Sequence, residues 1–112
     1  MYTSSNKTVK ASEIIDKKVL SIAKQRIGKV EDIILTRNSN GEAHYVILSS
    51  GGFLGLGENS YAVPWDSIHY DTDEKSFILN INHERLKTAP PYNKNSWTEE
   101  FAKSIYDYYK SL

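Results

Sequence analysis

The segment Gly51-Gly52-Phe53-Leu54-Gly55-Leu56-Gly57 constrains this chain more than any other feature. Four of the six glycines fall within it, and so many residues without a Cβ cannot stiffen a helix or the middle of a strand. A phosphate cradle needs glycines at set spacings, with backbone N–H groups converging at a helix N-terminus. Here the pattern is neither G-x-x-x-x-G-K-[ST] nor G-x-G-x-x-G, no helical pattern follows, and Glu58 adds negative charge. The segment therefore predicts a sharp turn between two strands, with glycines at positive φ and Phe53, Leu54 and Leu56 at its tip.

The flanking sequence reads as strands. Lys18–Ile22 is a short apolar run, and Gln25–Gly28 is a turn leading into a longer strand, Lys29–Thr36. In that strand the alternation of apolar residues changes phase between Val30 and Ile33, as a bulge would make it. Arg37–Gly41 reads as a hairpin turn, since Asn40-Gly41 takes positive φ cheaply. Ala43–Ser50 follows, apolar on both faces, which suits a strand wrapped into a small barrel. Ser60–Val63 stops at Pro64, Trp65 is assigned to the core, and His69-Tyr70 leads into a polar turn, Asp71–Lys75. Ser76–Ile81 is the last strand. Several short strands separated by turn signals point to a barrel or sandwich.

Ser12 is read as the cap of a short helical turn carrying Ile14 and Ile15, and Asn82 as the cap of a helix over His83–Thr88 that Pro90-Pro91 ends. Ser96-Trp97-Thr98-Glu99 has the form of a capping box. The helix it opens carries Phe101, Ile105, Tyr108, Tyr109 and Leu112 on one apolar stripe. A stripe of that size is costly to leave wet, and it can pack on the chain's own barrel or on a partner copy, of which we favour the second. The organisation expected is a flexible arm over residues 1–10, one domain over 11–90, and an aromatic linker with a C-terminal helix over 91–112.

The motifs, taken in order, resemble one family. Ala11-Ser12-Glu13-Ile14-Ile15, Ile27-Gly28-Lys29-Val30-Glu31-Asp32-Ile33, Tyr45-Val46-Ile47-Leu48-Ser49, the glycine segment, and Ala62-Val63-Pro64-Trp65 look like a PRC-barrel domain. That family includes the cytoplasmic domain of the H subunit of photosynthetic reaction centres and the C-terminal domain of a ribosome maturation factor. The resemblance covers roughly residues 10–90. It implies a mainly β fold, a small, strongly bent antiparallel β-barrel with short helices, and scaffold or protein-binding roles without catalytic residues. The stretch Tyr92–Trp97 also looks like that of stand-alone members.

The residues offer little chemistry of their own. Cysteine is absent, so disulfides and thiolate metal sites are excluded and a reducing cytoplasm is the expected compartment. The polar N-terminus lacks the apolar core of a secretory signal, and no apolar run approaches the roughly 18 residues of a membrane span. His44, His69 and His83 lack metal-ligand spacing. Asp71, Asp73 and Glu74 lack the glycine and glutamate that a calcium loop needs five and eleven residues on from Asp71, where Ser76 and Asn82 stand. Glu31 and Asp32 are adjacent on a strand and point apart unless a bulge intervenes; one of them is expected inward, near the kink. No G-x-S-x-G elbow is present. We expect no enzyme, cofactor or metal.

Fourteen basic residues balance fourteen acidic ones. The first half holds 8 basic against 5 acidic residues and the second half 6 against 9, too mild an asymmetry for a DNA-binding face. Lys17, Lys18, Lys24, Arg26 and Lys29 form a modest basic cluster, read as a solvated face, with RNA or ribosome contact as the lesser alternative. The expected function is a non-catalytic module that forms a homodimer and binds another protein. Its contact residues are Phe53, Leu54 and Leu56 with Trp97, Phe101, Ile105, Tyr108, Tyr109 and Leu112. A third reading is a small-molecule binder at the barrel mouth or dimer seam.

Overall fold

The computed structural model describes residues 10–35, 44–51 and 58–111. The turn at Arg37–Gly41, the tip residues Phe53, Leu54 and Leu56, the arm up to residue 9, and Leu112 lie outside them.

Six strands form one sheet: β1 (Lys18–Leu20), β2 (Arg26–Ile34), β3 (Tyr45–Ser49), β4 (Ser60–Pro64), β5 (Ile68–Asp71) and β6 (Ser76–Leu79). Their order is β4-β3-β2-β1-β6-β5. The expectation of a wholly antiparallel barrel is corrected in two respects. The β1–β6 pair is parallel, with Val19 opposite Phe77 and Leu20 opposite Ile78. The sheet is also not closed by hydrogen bonds, because β4 and β5 stand at opposite edges.

The sheet is nonetheless strongly curled. β4 and β5 are consecutive in the chain, joined by a single 3-10 turn, Trp65–Ser67. Four residue steps from Pro64 to Ile68 reach at most about 14 Å, whereas six flat strands would hold their edges about 24 Å apart. The short connection therefore brings the two edges together, and the seam is bridged by chain rather than by a ladder. Trp65 sits in this seam half-buried, its backbone N–H donating to the His44 carbonyl (2.8 Å) and its ring edge-on to Phe77 at 6.1 Å.

The phase change in β2 is a bulge. Val30 pairs with Leu48 and Asp32 with Ile47, leaving Glu31 as the extra residue. The bulge turns Glu31 and Asp32 outward together, so neither sits inward as expected. The Glu31 carboxylate instead accepts from the Ser60 hydroxyl (3.0 Å), and Asp32 accepts from the Ile33 N–H (2.8 Å). Upstream in β2, Gly28 lies against β3 so closely that a Cβ would overlap the Ser49 carbonyl.

Three helices complete the fold: α1 (Ala11–Ile14), α2 (His83–Lys87) and α3 (Glu99–Lys110). Asn82 caps α2 as expected, accepting from the Arg85 N–H (2.9 Å). Two caps are corrected. α1 begins one residue before Ser12, with Glu13 accepting from the Lys10 N–H (3.2 Å). α3 is capped by Thr98, which accepts from the Phe101 N–H (3.0 Å), while Ser96 ends a 3-10 turn opened by Asn93. β5 is also new: His69 and Tyr70 are strand residues rather than a lead into a turn.

Residues from every strand meet in one core, including Val19, Val30, Leu48, Val63 and Leu79. Ile105 and Tyr109 of α3 belong to it, Ile105 with 0% exposure. The assignment of the α3 stripe to a partner copy is thus corrected: the helix packs on its own β4.

Candidate interaction surface

The linker between α2 and α3 is tied to the sheet at both ends. The Tyr92 N–H donates to the Ser60 carbonyl at the β4 edge (2.8 Å). The Tyr45 hydroxyl on β3 donates to the Ala102 carbonyl in the first turns of α3 (3.1 Å). Between these ties, Trp97 lies at the centre of an aromatic group. Its ring is 5.2 Å from Tyr45, 5.8 Å from Tyr92 and 5.7 Å from Phe101. All three contacts are edge-to-face, the arrangement the ring quadrupoles favour. Tyr45 is buried beneath the group, while Tyr92, Trp97 and Phe101 remain half-buried. Burial, then the nearby Tyr106 and Asp107, pushes the Tyr45 phenol above its ordinary pKa.

The remaining candidate residues separate from this hub. Ile105 and Tyr109 are interior. Tyr108 is half-buried, its hydroxyl donating to the Arg85 carbonyl (2.7 Å) and lying 2.8 Å from the Thr88 hydroxyl, which joins α3 to α2. Of the described residues in the candidate contact set, Trp97 and Phe101 share a partly open surface. Phe53, Leu54, Leu56 and Leu112 lie outside the described residues. The sequence reading missed Tyr45 as a member of the hub. Its strand position was clear, but nothing in the sequence links residue 45 to residue 97.

Polar features elsewhere are occupied locally. Asp71 Oδ1 accepts from the Asp73 and Glu74 N–H groups (2.9 and 3.1 Å). Those bonds, that of Glu74 foremost, hold its carboxyl below the ordinary aspartate range. In the basic cluster, Lys24 lies 3.6 Å from Glu74 and Lys29 3.5 Å from Asp16. Among the described residues no group of three His, Asp or Glu side chains converges as metal ligands would, and no helix is long and apolar enough to cross a membrane.

The PRC-barrel domain family model matches residues 6–86. The chain belongs to the PRC-barrel family. No curated protein matches it. PRC-barrel domains are in general non-catalytic modules, and the matched span takes in all six strands and most of α2. The aromatic linker and α3 lie beyond it, so the Trp97 hub is built where this chain's C-terminal addition meets the shared PRC-barrel sheet.

Proposed function

We propose that this protein is a non-catalytic PRC-barrel module that binds another protein through the Trp97 hub. One observation carries the reading: four aromatic rings, from β3, the tethered linker and α3, are gathered around Trp97, and three of them are left partly open. Rigid aromatic groups of this kind supply large contact area at low entropic cost and dominate protein interfaces. Self-association has lost its helix stripe to the core, so a homodimer would use the hub or the glycine segment. RNA contact has less support, since Lys24 and Lys29 stand beside carboxylates.

The test compares the intact chain with Trp97→Ala and with an exposed control, Lys103→Ala, in affinity capture from the native cell. Captured proteins are then purified and titrated individually. A partner bound by the wild type and the control, and weakened at least about tenfold by Trp97→Ala, fits loss of one anchor residue. Equal binding by all three would overturn the hub as the contact site. Sedimentation of the same set reads whether a dimer forms and whether Trp97→Ala dissolves it.

A further inference from the structure

A pocket of about 270 Å³ opens between the later turns of α3 and the seam of the sheet. Its floor is apolar: Pro64 at the end of β4, Ile81 just beyond β6, and the Tyr109 ring. Its rim is polar and comes from three separate segments. The 3-10 turn supplies Asp66 and Ser67, the residue after β6 supplies Asn80, and one face of α3 supplies Tyr106 and Lys110. The Asn80 N–H donates to the Ser67 carbonyl (3.0 Å), which fixes two of the walls together.

The rim charges are arranged unusually. Lys110 donates to the Tyr106 hydroxyl oxygen (3.1 Å) and its ammonium lies 5.2 Å from that ring's centre. These contacts, with a further contribution from the Asp66 charge, hold the ammonium above its ordinary pKa, while burial works the other way. Asp66 and Lys110 thus feel each other, yet among the described residues no ion pair joins them. The pocket lining thus carries one carboxylate and one tethered ammonium above the buried Pro64, Ile81 and Tyr109.

That arrangement selects by elimination. A phosphate would gain one cation and face Asp66. A divalent cation would gain one carboxylate and face Lys110, where several oxygen ligands are needed. A ligand with one charge of either sign leaves one rim group unmatched. A small zwitterion matches both, each end through a charge-assisted hydrogen bond. The volume is just under the range of about 300–1,000 Å³ typical for drug-sized ligands, so the ligand is small, and Pro64, Ile81 and Tyr109 favour an aliphatic body. We propose that this pocket binds an aliphatic α-amino acid, its ammonium facing Asp66 and its carboxylate facing Lys110. The proposal does not depend on the partner-binding reading.

The experiment titrates the full chain with L-leucine, L-isoleucine and L-valine, followed by amide NMR. Two half-ligands of leucine accompany them: isoamylamine, which lacks the carboxylate, and isocaproate, which lacks the ammonium. At least one amino acid should give saturable shifts centred on Asp66–Ile68, Asn80–Ile81 and Tyr106–Lys110. Asp66→Asn should weaken that amino acid and isoamylamine about tenfold or more and should not weaken isocaproate. Lys110→Met should weaken that amino acid and isocaproate to the same degree and should not weaken isoamylamine. Both residues are exposed, so the variants keep the fold, and their spectra report it. The proposal is overturned if no amino acid gives saturable shifts at tens of millimolar, if the shifts lie elsewhere, or if the variants do not separate the two half-ligands.

Discussion

The Tyr108 hydroxyl donates to the Arg85 carbonyl oxygen over 2.7 Å, and so joins the last turns of α3 to α2. The same hydroxyl lies 2.8 Å from the Thr88 Oγ1, which itself donates to the Arg85 carbonyl (3.0 Å). The end of α2 and the end of α3 therefore share one small network. Tyr108→Phe keeps the ring against Tyr109 and removes only the hydroxyl. We expect a loss of about 1 kcal/mol, the ordinary net value of a hydrogen bond, with faster amide exchange in α3 than in β3. Urea denaturation and hydrogen exchange check both. A uniform change in exchange across the molecule would show that the network does not act locally.

Gly28 offers a sharper test of the sheet. Its missing Cβ makes room for the backbone of Ser49 and Ser50 on the neighbouring strand. Backbone held at the end of the β2–β3 ladder cannot move aside as a flexible side-chain end can. Gly28→Ala should therefore cost about 1–3 kcal/mol, the range for overpacking a well-filled interior, despite the better strand entropy of alanine. A stability equal to that of the wild type in thermal unfolding would mean that β2 and β3 can slide apart at no cost.

Tyr109 carries a buried hydroxyl that has no hydrogen-bond partner among the described residues. A buried polar atom left unmatched costs about 1–3 kcal/mol, so Tyr109→Phe should stabilise the protein, by about 1 kcal/mol once the closer packing of the ring edge is set against it. The pH dependence gives a second reading. Burial, with Tyr108 and Tyr61 adding to it, holds this phenol far above its ordinary range. A group raised in the folded state contributes stability that is complete below its unfolded pKa, about 10 for tyrosine. That contribution is lost as pH rises beyond this value, because the unfolded chain ionises first. Stability of the wild type should thus fall more steeply above pH ~10 than that of Tyr109→Phe. Parallel alkaline limbs would indicate that the hydroxyl reaches solvent.

Several of these features could be read from sequence because their causes are local. The slip from Val30 to Ile33 is the bulge at Glu31 seen as a break in alternation. Asn82 caps α2 because a short side-chain acceptor stands three residues before Arg85. The stripe on α3 is a period of the helix itself. What stayed hidden depends on pairing across distance. β5 has an exposed His69 and only half-buried Tyr70 and Asp71, so it lacks an apolar signature, and it exists as a strand because β6 pairs with it. The parallel match of Val19 with Phe77 joins segments far apart in the chain. The capping-box pattern points to Ser96 as the α3 cap, but the Asn93 turn, whose own side chain accepts from the Asn95 N–H (2.9 Å), takes up Ser96, and Thr98 caps the helix instead. The Trp97 hub failed to show for the same reason as the parallel pair: Tyr45 reaches it only through the folded sheet.

The destination of the α3 stripe follows a similar logic and can be measured. Its apolar residues argue only that they must be covered, and a partner copy would cover them as well as the chain's own sheet. The folded chain settles this through Ile105, which has 0% exposure and sits in the same core as Val63 and Leu79. Ile105→Ala should cost about 2–5 kcal/mol, the range for emptying an aliphatic core site. Because the contact lies within one chain, the cost should be the same at low and high protein concentration. Denaturant midpoints measured over a hundredfold range of concentration (roughly micromolar to tenth-millimolar) decide the point. A midpoint that climbs with concentration in the wild type and loses that dependence in Ile105→Ala would place the stripe in a dimer interface instead. A constant shift between the two proteins would confirm that α3, although it lies beyond the matched family span, is part of the PRC-barrel core of this chain.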